Sequence, residues 1–475
     1  MCTVRCTALD IAGLPVVMSA GFIIDARLDA KILEQTLWKI VESKFPRAGA
    51  RLARRNEVFE FQIPSIFDAN TPPIAFTVDE YPEPYRSATR PELPMHLPDS
   101  SKATQPSIHS LPELDVYLKS SKCPTSLDGF LVPNTPVVHV HVAAFDDLTF
   151  IGFTAAHVAM DALGARTLLH AWTRLLSGDA IDTIPGMDWD ATPFEAFNAG
   201  PTAVTPPRGW FEPERPSWLL RTARSLMRIL WDPMDATRPK EAEQATRLVR
   251  MPKVFLEDSK REINDTLKRQ GSGEWVGSSD VLTAWWFKTI YGPRSIGNSD
   301  ATPVHIHLTV NVRDYRIFPG SSSLATPYIN NAFLTIPVPP IPASAFRADS
   351  LADLALCIRR AITKYNADLD GIDADLRWRC ANPLKPLLPC PRGGQFAIQA
   401  NWRKAHFEAL DFSGACGRNA PVIFVLEETT VMGKRMPVHG SGVVLMEDED
   451  AVWMSQGGGV KDWENIRRSG DVTFS

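Results

Sequence analysis

The hydrophobic pattern is clearest in the second quarter of the chain, where two β-rich runs precede a helical one. Apolar and β-branched residues fill Pro136 to Phe145 and Leu148 to Ala156, and an acidic pair at 146–147 separates them. A short polar turn between two such runs is typical of a β-hairpin. After His157, leucines recur at helical spacing as far as Leu176. The pattern predicts strand, turn, strand and helix, with His157 at the last corner.

The same patterns predict further elements on both sides of this region. Proline and glycine punctuate them and set their ends. A serine, Ser278 or Ser279, is the predicted N-cap of the helix that carries Val281, Leu282, Trp285 and Trp286. The other predicted strands are Ile11 to Ile24, Val58 to Ile63, Val304 to Val312 and Gln395 to Ala400, and the other predicted helices are Leu28 to Val41, Val254 to Leu267 and Leu351 to Tyr365.

Prolines interrupt the chain between about Thr192 and Arg250. Within this stretch, Ser217 to Leu230 forms a basic amphipathic pattern with arginines at 221, 224 and 228. A membrane-surface helix is one interpretation, but a crossover helix with solvated arginines is favoured, because it lies between two domain-sized halves. We expect an N-terminal domain over residues 1–195, a crossover segment over 196–250 and a C-terminal domain over 251–475.

Composition narrows the function classes. The chain has 475 residues, 44% of them hydrophobic, and a formal net charge of -5. This balance gives no case for nucleic acid as a partner. The seven cysteines form no CxxC pair and indicate free thiols inside a cell. No apolar run is long enough for a transmembrane segment, and we expect a cytoplasmic monomer.

His157 and Asp161 are the candidate chemical groups, four residues apart. A neutral imidazole at the corner between two rigid elements is a candidate general base. Such a pair also occurs often as a purely structural contact. A metal site made by His139, His141 and His157 is disfavoured, because no cysteine or carboxylate stands at ligand spacing beside them. The glycine clusters match neither phosphate-binding loops nor the nucleophile elbow of serine hydrolases.

Seven short motifs follow one another along nearly the whole chain. They are FPRAGARL (45–52), HVAMDALG (157–164), SSDVLTAWW (278–286), NVRDYR (311–316), YINNAF (328–333), NW (401–402) and DFSGACG (411–417). In this order they resemble the BAHD-type acyl-CoA-dependent acyltransferases. The chain is most similar to the fungal secondary-metabolite branch, which includes trichothecene O-acetyltransferases.

The resemblance implies an α/β fold of the chloramphenicol-acetyltransferase type, with two domains, mixed sheets and a channel between them. It implies no permanently bound cofactor. Acetyl-CoA or another acyl-CoA would be the co-substrate, and the acceptor would be a polycyclic natural product with a hydroxyl or, less favoured, an amine. His157 would deprotonate the acceptor, which then attacks the thioester.

The resemblance also assigns roles to other residues. Asp161 would be structural and paired with Arg313, while Asp411 and Phe412 would begin the loop that corresponds to the family's DFGWG motif. Asn331 would lie near the active site, and Gly414 would line the channel. Ser278 or Thr283 would help to hold the oxyanion.

Three positions depart from the family pattern. Ala162 replaces a glycine after Asp161, DFSGACG lacks the tryptophan and is longer than DFGWG, and YINN lacks the glycine of YxGN. These changes touch the shape of the channel and leave the histidine intact. Two alternatives therefore stay open. The cleft could host a CoA-independent isomerase, dehydratase or cyclase that still uses His157, or the fold could serve a non-catalytic binding protein.

Overall fold

A computed structural model of the chain describes residues 1–87, 90–94, 104–198, 204–213, 244–294, 300–320, 322–324, 327–431, 433–435 and 440–474. The basic helix predicted over Ser217 to Leu230 lies outside these residues. The strands are β1 (Cys2–Arg5), β2 (Val16–Ile24), β3 (Arg51–Arg55), β4 (Val58–Ile63), β5 (Ala75–Glu80), β6 (Ser107–Ser110), β7 (Val138–Ala144), β8 (Thr149–Ala156), β9 (Gln244–Pro252), β10 (Pro303–Asn311), β11 (Phe333–Pro337), β12 (Ile341–Pro342), β13 (Gln395–Asn401), β14 (Val422–Val431), β15 (Lys434–Arg435), β16 (Gly442–Glu447), β17 (Ala451–Gly459) and β18 (Thr473–Phe474). The helices are α1 (Ala8–Ala12), α2 (Ala30–Lys44), α3 (Asp115–Leu118), α4 (Leu127–Phe130), α5 (Ala162–Leu176), α6 (Lys253–Arg269), α7 (Ser278–Tyr291), α8 (Ala345–Ala348), α9 (Leu351–Ala367), α10 (Leu369–Ala381) and α11 (Val460–Ser469).

The described strands form two large mixed sheets and a small one. The first large sheet has six strands in the order β15-β14-β2-β8-β7-β5, and the small one has the order β1-β4-β3. The second large sheet has nine strands, in the order β11-β10-β13-β16-β17-β9-β6-β18, with β12 beside β10. In this sheet β10 and β13 run parallel, whereas β10 and β11 run antiparallel.

The two large sheets exchange strands across the predicted domain boundary. Strand β14, near the end of the chain, pairs with β2 in the first sheet. Strand β6, from the first quarter, pairs with β9 in the second sheet. The division at residues 195 and 250 stays a prediction, because the first large sheet contains two strands from the C-terminal half, β14 and β15, and the second contains β6 from the N-terminal half.

The predicted hairpin is confirmed. Strands β7 and β8 pair antiparallel, and the N–H of Phe145 donates to the carbonyl of Leu148 at 2.9 Å across the two-residue acidic turn. Every residue of both strands is buried, as expected for strands inside a covered sheet. Strand β8 ends at Ala156, so His157 follows it directly.

The first predicted strand is only partly correct. It was expected from Ile11, but β2 begins at Val16, and residues 8–12 form α1. Thr7 and Asp10 form a reciprocal capping box that starts this short helix, and Gly13 ends it. The local hydrogen bonds of the cap outweigh the apolar character of the segment. The other predicted helices and strands among the described residues are present, with ends that differ by a few residues.

The predicted serine cap of α7 is wrong. Gly277 occupies the N-cap position with extended backbone, and its N–H donates to the carboxylate of Asp280 at 2.7 Å. Because that carboxylate closes the first turn, no hydroxyl is needed there. The hydroxyl of Ser278 instead donates to Glu257 on α6 at 2.8 Å.

Among the helices of the described residues, none combines the length and the apolar character that crossing a membrane requires.

Candidate active site

His157 opens the segment between β8 and α5, and its backbone is held from two sides. Its N–H donates to the carbonyl of Val16 at 2.9 Å, and its own carbonyl accepts from the side-chain amide of Asn331 at 2.7 Å. Val16 begins β2 of the first sheet, whereas Asn331 lies just before β11 of the second. The histidine therefore lies where the two large sheets meet.

The imidazole of His157 has one enclosed nitrogen. Nδ1 is buried and has no hydrogen-bond partner among the described residues, and the ring centroid lies 5.6 Å from that of Phe333. The residue as a whole is half-buried, so its exposed surface comes from atoms other than Nδ1. This arrangement leaves Nε2 as the nitrogen that a substrate can reach.

The loop between α1 and β2 approaches His157 so closely that only glycine fits at position 13. A Cβ atom on Gly13 would lie 2.8 Å from the carbonyl oxygen of His157, 2.9 Å from its carbonyl carbon and 3.1 Å from Nδ1. The φ angle of Gly13 is -87°, which any residue adopts. The constraint is therefore the contact itself and not backbone strain.

Substitution of Gly13 by alanine is expected to displace the His157 backbone and lower kcat at least tenfold, since displacements of about 1 Å can lower rates by roughly 10²-fold. Gly273→Ala is the matched control, because a Cβ there would meet nothing within 4 Å. Steady-state kinetics of the two variants make the comparison. An unchanged kcat for Gly13→Ala would show that the histidine tolerates the displacement.

The carboxylate of Asp161 is surrounded by four donors. Arg313 binds it bidentately, with Nη1 3.0 Å from Oδ2 and Nη2 2.9 Å from Oδ1. The backbone N–H groups of Ala332 and Gly164 donate to it at 2.9 and 2.8 Å. Asp161 is also the N-cap of α5. With both oxygens occupied, this carboxylate has little capacity left to act on a substrate.

Arg313 is itself fixed to the segment before β11. Its Nε donates to the carbonyl of Tyr328 at 3.0 Å and its Nη2 to that of Asn330 at 2.6 Å. The guanidinium also donates to the side chain of Asn311 at 3.0 Å. The Asp161–Arg313 pair thus ties the start of α5 to the second sheet.

Two neighbouring asparagines hold the turn that follows His157. The amide of Asn331 donates to the carbonyls of His157 and Val158, the latter at 3.2 Å. The amide of Asn330 donates to the carbonyl of Ala159 at 2.8 Å. Asn331 was expected near the active site, whereas Asn330 was not singled out. Because a side-chain amide satisfies each of these carbonyls, the turn can stay buried.

Arg47 supports Asn330 from behind, and the sequence analysis did not single it out either. Its Nη1 donates to the side-chain oxygen of Asn330 at 3.0 Å, and its Nη2 donates to the carbonyls of Trp189 and Ala191 at 2.7 and 2.8 Å. Arg47 belongs to the FPRAGARL motif. The resemblance therefore pointed to this segment, but it did not predict the contact between Arg47 and Asn330.

Asp10 is a buried carboxylate that the sequence analysis also missed. Its Oδ1 accepts from the backbone N–H of Asn331 at 3.1 Å and from its side-chain amide at 3.2 Å. The spacing of three residues between Thr7 and Asp10 could have indicated a capping box. The contact with Asn331 spans 321 positions, and nothing local in the sequence signals it.

The DFSGACG loop lies at the far end of α5. The Phe412 ring packs edge-on against Trp172 at 5.5 Å, and a Cβ on Gly414 would lie 1.8 Å from the carbonyl oxygen of Leu176. Hydrogen bonds from Ser413 lower the pKa of Asp411. Since α5 has 15 residues, it spans roughly 22 Å. The loop therefore secures the distal end of α5 and is not brought to His157.

The two hydroxyls considered for the oxyanion are not brought to His157 by any contact of the described residues. Ser278 donates to Glu257 at 2.8 Å and accepts from Lys260 at 3.3 Å. Thr283 is half-buried within α7. The hydroxyl of Ser278 is used between α6 and α7, so the structure gives no support to an oxyanion role for it.

The strand histidines do not gather ligands. Burial lowers the pKa of His139 to about 4 and also lowers that of His141, so both are neutral near pH 7. In the described part of the chain, no group of three or more His, Cys, Asp or Glu residues could hold a metal ion.

Comparisons with known proteins concern the sequence and the fold of the chain as a whole. No model of a protein family matches the chain. Acetyltransferase adrJ of Penicillium roqueforti is 24% identical over 442 residues, covering 86% of this chain and 80% of that protein. F. graminearum TRI101, solved in complex with coenzyme A and T-2 mycotoxin, superposes with a TM-score of 0.67 at 11% identity, covering 98% of this chain and 97% of that one. Vinorine synthase superposes with a TM-score of 0.58 at 15% identity, covering 99% of this chain and 93% of that one.

The resemblance to BAHD-type fungal acyltransferases is confirmed. The predicted fold class is confirmed as well, since 98% of the chain superposes on TRI101 and 99% on vinorine synthase. Ala162, one departure from the BAHD pattern, is the first residue of α5, where helical backbone suits alanine. Gly164 is different, because a Cβ there would lie 1.8 Å from the carbonyl oxygen of Ile329.

Proposed function

We propose that this chain transfers an acyl group, with acetyl favoured, from coenzyme A to a hydroxyl of a secondary metabolite, and that His157 is the general base. One observation carries the proposal: His157 is half-buried and fixed where the two sheets meet, with Nδ1 enclosed, which leaves Nε2 as the ring nitrogen that can act. The relatives support the reaction class, because several are named acetyltransferases. Structures of similar fold were solved with coenzyme A.

In this reaction Nε2 of His157 takes the proton of the acceptor hydroxyl as its oxygen attacks the thioester carbonyl. A tetrahedral intermediate forms, the carbon–sulfur bond breaks, and the imidazolium returns the proton to the departing CoA thiolate. The products are the acyl ester and free CoA, and no acyl-enzyme forms. A placed base contributes roughly 10²- to 10⁴-fold, and orientation of the two substrates supplies much of the rest.

Asp161 and Arg313 have a supporting role in this proposal. Their paired charges and the amides of Asn330 and Asn331 hold the backbone of residues 157–161. Asp411, Phe412 and Gly414 act at a distance, through the far end of α5. The acceptor is a polycyclic natural product, in keeping with TRI101, which was solved with T-2 mycotoxin. The cytoplasmic location and the monomeric state stay predictions.

Thermal melting of the purified protein with CoA and with acetyl-CoA tests donor binding. A ligand at about 100 times its dissociation constant adds roughly 2.7 kcal/mol to the free energy of unfolding. We expect a saturable rise in Tm, retained in His157→Ala, because the substitution removes the base and not the donor site. Acylated products in host extracts would then be sought by mass.

The absence of a shift at millimolar CoA would contradict the proposal. The cleft would then be assigned to a CoA-independent isomerase, dehydratase or cyclase, and the extracts would be searched for a product of unchanged or water-shifted mass. A shift without turnover of any acceptor, in wild type as in His157→Ala, would favour a binding protein.

A further inference from the structure

Asp10 is fully buried, at 0% exposure, and each of its carboxylate oxygens accepts two hydrogen bonds. Oδ2 accepts from the N–H and the hydroxyl of Thr7, both at 2.8 Å. Oδ1 accepts from the N–H and the side-chain amide of Asn331 at 3.1 and 3.2 Å. A carboxylate offers about four lone-pair sites, so all of them are used.

A proton on Asp10 weakens the contact with Asn331. On Oδ1 the proton would face the two N–H donors of Asn331 and displace one of them. On Oδ2 it could donate to the hydroxyl oxygen of Thr7, 2.8 Å away, but Oδ1 would then be a neutral carbonyl, a weaker acceptor for Asn331 than a carboxylate. The charged form of Asp10 is therefore the form that fits these contacts.

Asn331 connects Asp10 to the candidate base. The same amide nitrogen that faces Asp10 donates to the carbonyl of His157 at 2.7 Å. Asn331 is 0% exposed, so no solvent competes for this amide. Asp10 also belongs to α1, which ends at Gly13, the residue that touches His157 directly. Two routes thus run from Asp10 to the backbone of the histidine.

We propose that ionised Asp10 is a positioning residue, which holds His157 in its reactive placement through Asn331 and Gly13. This inference rests on the proposed role of His157 as general base. It adds that activity depends on the charge of a second, buried group that never touches the substrate.

Two other titratable side chains interact electrostatically with Asp10, and neither of them changes its charge in mild acid. Cys6 and Tyr328 both interact with it electrostatically, and burial raises the pKa of each well above its usual value, so both stay neutral. The guanidinium of Arg47 also interacts electrostatically with these two residues. Beyond Asn331, Asp161 remains paired with Arg313.

The pKa of Asp10 gives the sign of the pH effect. Burial raises it to about 6, against the hydrogen bonds from Thr7 and Asn331, which lower it. Because the folded pKa exceeds that of the unfolded chain, the stability contributed by this group is present in acid and is lost as pH rises through about 6. Protonation of Asp10 by itself therefore does not destabilise the fold. It weakens the contact with Asn331 that places His157, so we expect activity to fall while the fold persists.

The pH dependence of kcat/KM tests the inference. The fully active form has a neutral histidine and an ionised Asp10, so as pH falls through about 6 the acid limb of log kcat/KM in wild type should drop by about one decade more than a single ionisation gives. In Asp10→Asn the acid limb should fit a single ionisation, and kcat at pH 8 should fall about tenfold by analogy with other misplacements of a base. An acid limb that fits a single ionisation in both proteins would overturn the inference.

Two further variants separate positioning from folding. Thr7→Val removes the hydroxyl on the Oδ2 side, which also accepts from the N–H of Asp10, and leaves Asn331 in place, so kcat should fall less than in Asp10→Asn. Asn331→Ala should lower kcat, and adding Asp10→Asn to it should lower kcat by a smaller factor than Asp10→Asn does alone, because the contact with Asn331 is already lost and only the route through Gly13 remains. Multiplicative losses in the double variant would contradict a shared route.

A spectroscopic readout keeps this test independent of acyl transfer. The imidazole signals of His157 are assigned in ¹H–¹³C spectra by comparison with His157→Gln. Their chemical shifts should respond to pH with two transitions in wild type and one in Asp10→Asn. If the spectra behave so but no acceptor is acylated, the proposed function fails and the positioning role of Asp10 stands. One transition in both proteins excludes that role whatever the reaction.

Discussion

Replacement of His157 by alanine is expected to lower kcat for acyl transfer by roughly 10²- to 10⁴-fold, the range contributed by a positioned general base. The substitution leaves the backbone contacts to Val16 and Asn331 intact, because both use main-chain atoms of residue 157. Nδ1 has no partner among the described residues, so removal of the ring breaks no hydrogen bond there. The rate should fall while KM for the donor and Tm change little.

Addition of free imidazole to the His157→Ala protein provides the control. The ring leaves a space beside Phe333, and a small base that enters it should restore part of the lost rate, increasingly with pH as imidazole is deprotonated. Steady-state rates with and without imidazole make the measurement. Retention of more than a tenth of the wild-type rate without imidazole would remove His157 from the role of base.

Substitution of Asp161 by asparagine is expected to lower the free energy of unfolding by about 3–5 kcal/mol, the usual result of removing one partner of a buried ion pair. The side chains of Asp161 and Arg313 are only 9% and 12% exposed. Loss of the negative charge leaves the guanidinium buried without its counter-charge. Denaturant unfolding measures the change, and activity should fall with it, since the pair secures residues 157–161.

The double variant Asp161→Asn with Arg313→Met distinguishes charge from packing. If the uncompensated charge dominates, the double variant should be more stable than the sum of the two single losses predicts. Arg27→Ala is the matched surface control, because Arg27 and its partner Asp146 are 37% and 48% exposed, and it should change stability by less than about 1 kcal/mol. Strict additivity of the two buried substitutions would mean that their packing contacts matter more than their charges.

The placement of the DFSGACG loop changes how its departure from DFGWG is understood. The loop closes around Leu176 at the end of α5, with Phe412 against Trp172. A missing tryptophan there alters how α5 is anchored and leaves the contacts of His157 as they are. The departure therefore gives no support to a reaction other than acyl transfer.

Short-range pattern was enough to predict the hairpin β7–β8, the helix α5 and the place of His157 between them. Alternation, turn residues and helical spacing act over a few positions, so the sequence displays them directly. Motif order added the resemblance, and with it the pairing of Asp161 and Arg313, which the structure forms across 152 positions. The start of β2 and the cap of α7 were mispredicted, because a carboxylate at the third helical position decided each one.

Tertiary structure alone revealed Asp10, Gly13, Asn330 and Arg47 as neighbours of the site. Asp10 reaches Asn331 over 321 positions, and Arg47 reaches Asn330 over 283. Such contacts form only when both sheets pack together and bury backbone carbonyls that need donors. No local spacing encodes which distant side chain supplies a donor, so the identity of the candidate base could be inferred from sequence, whereas the groups that hold it required the folded chain.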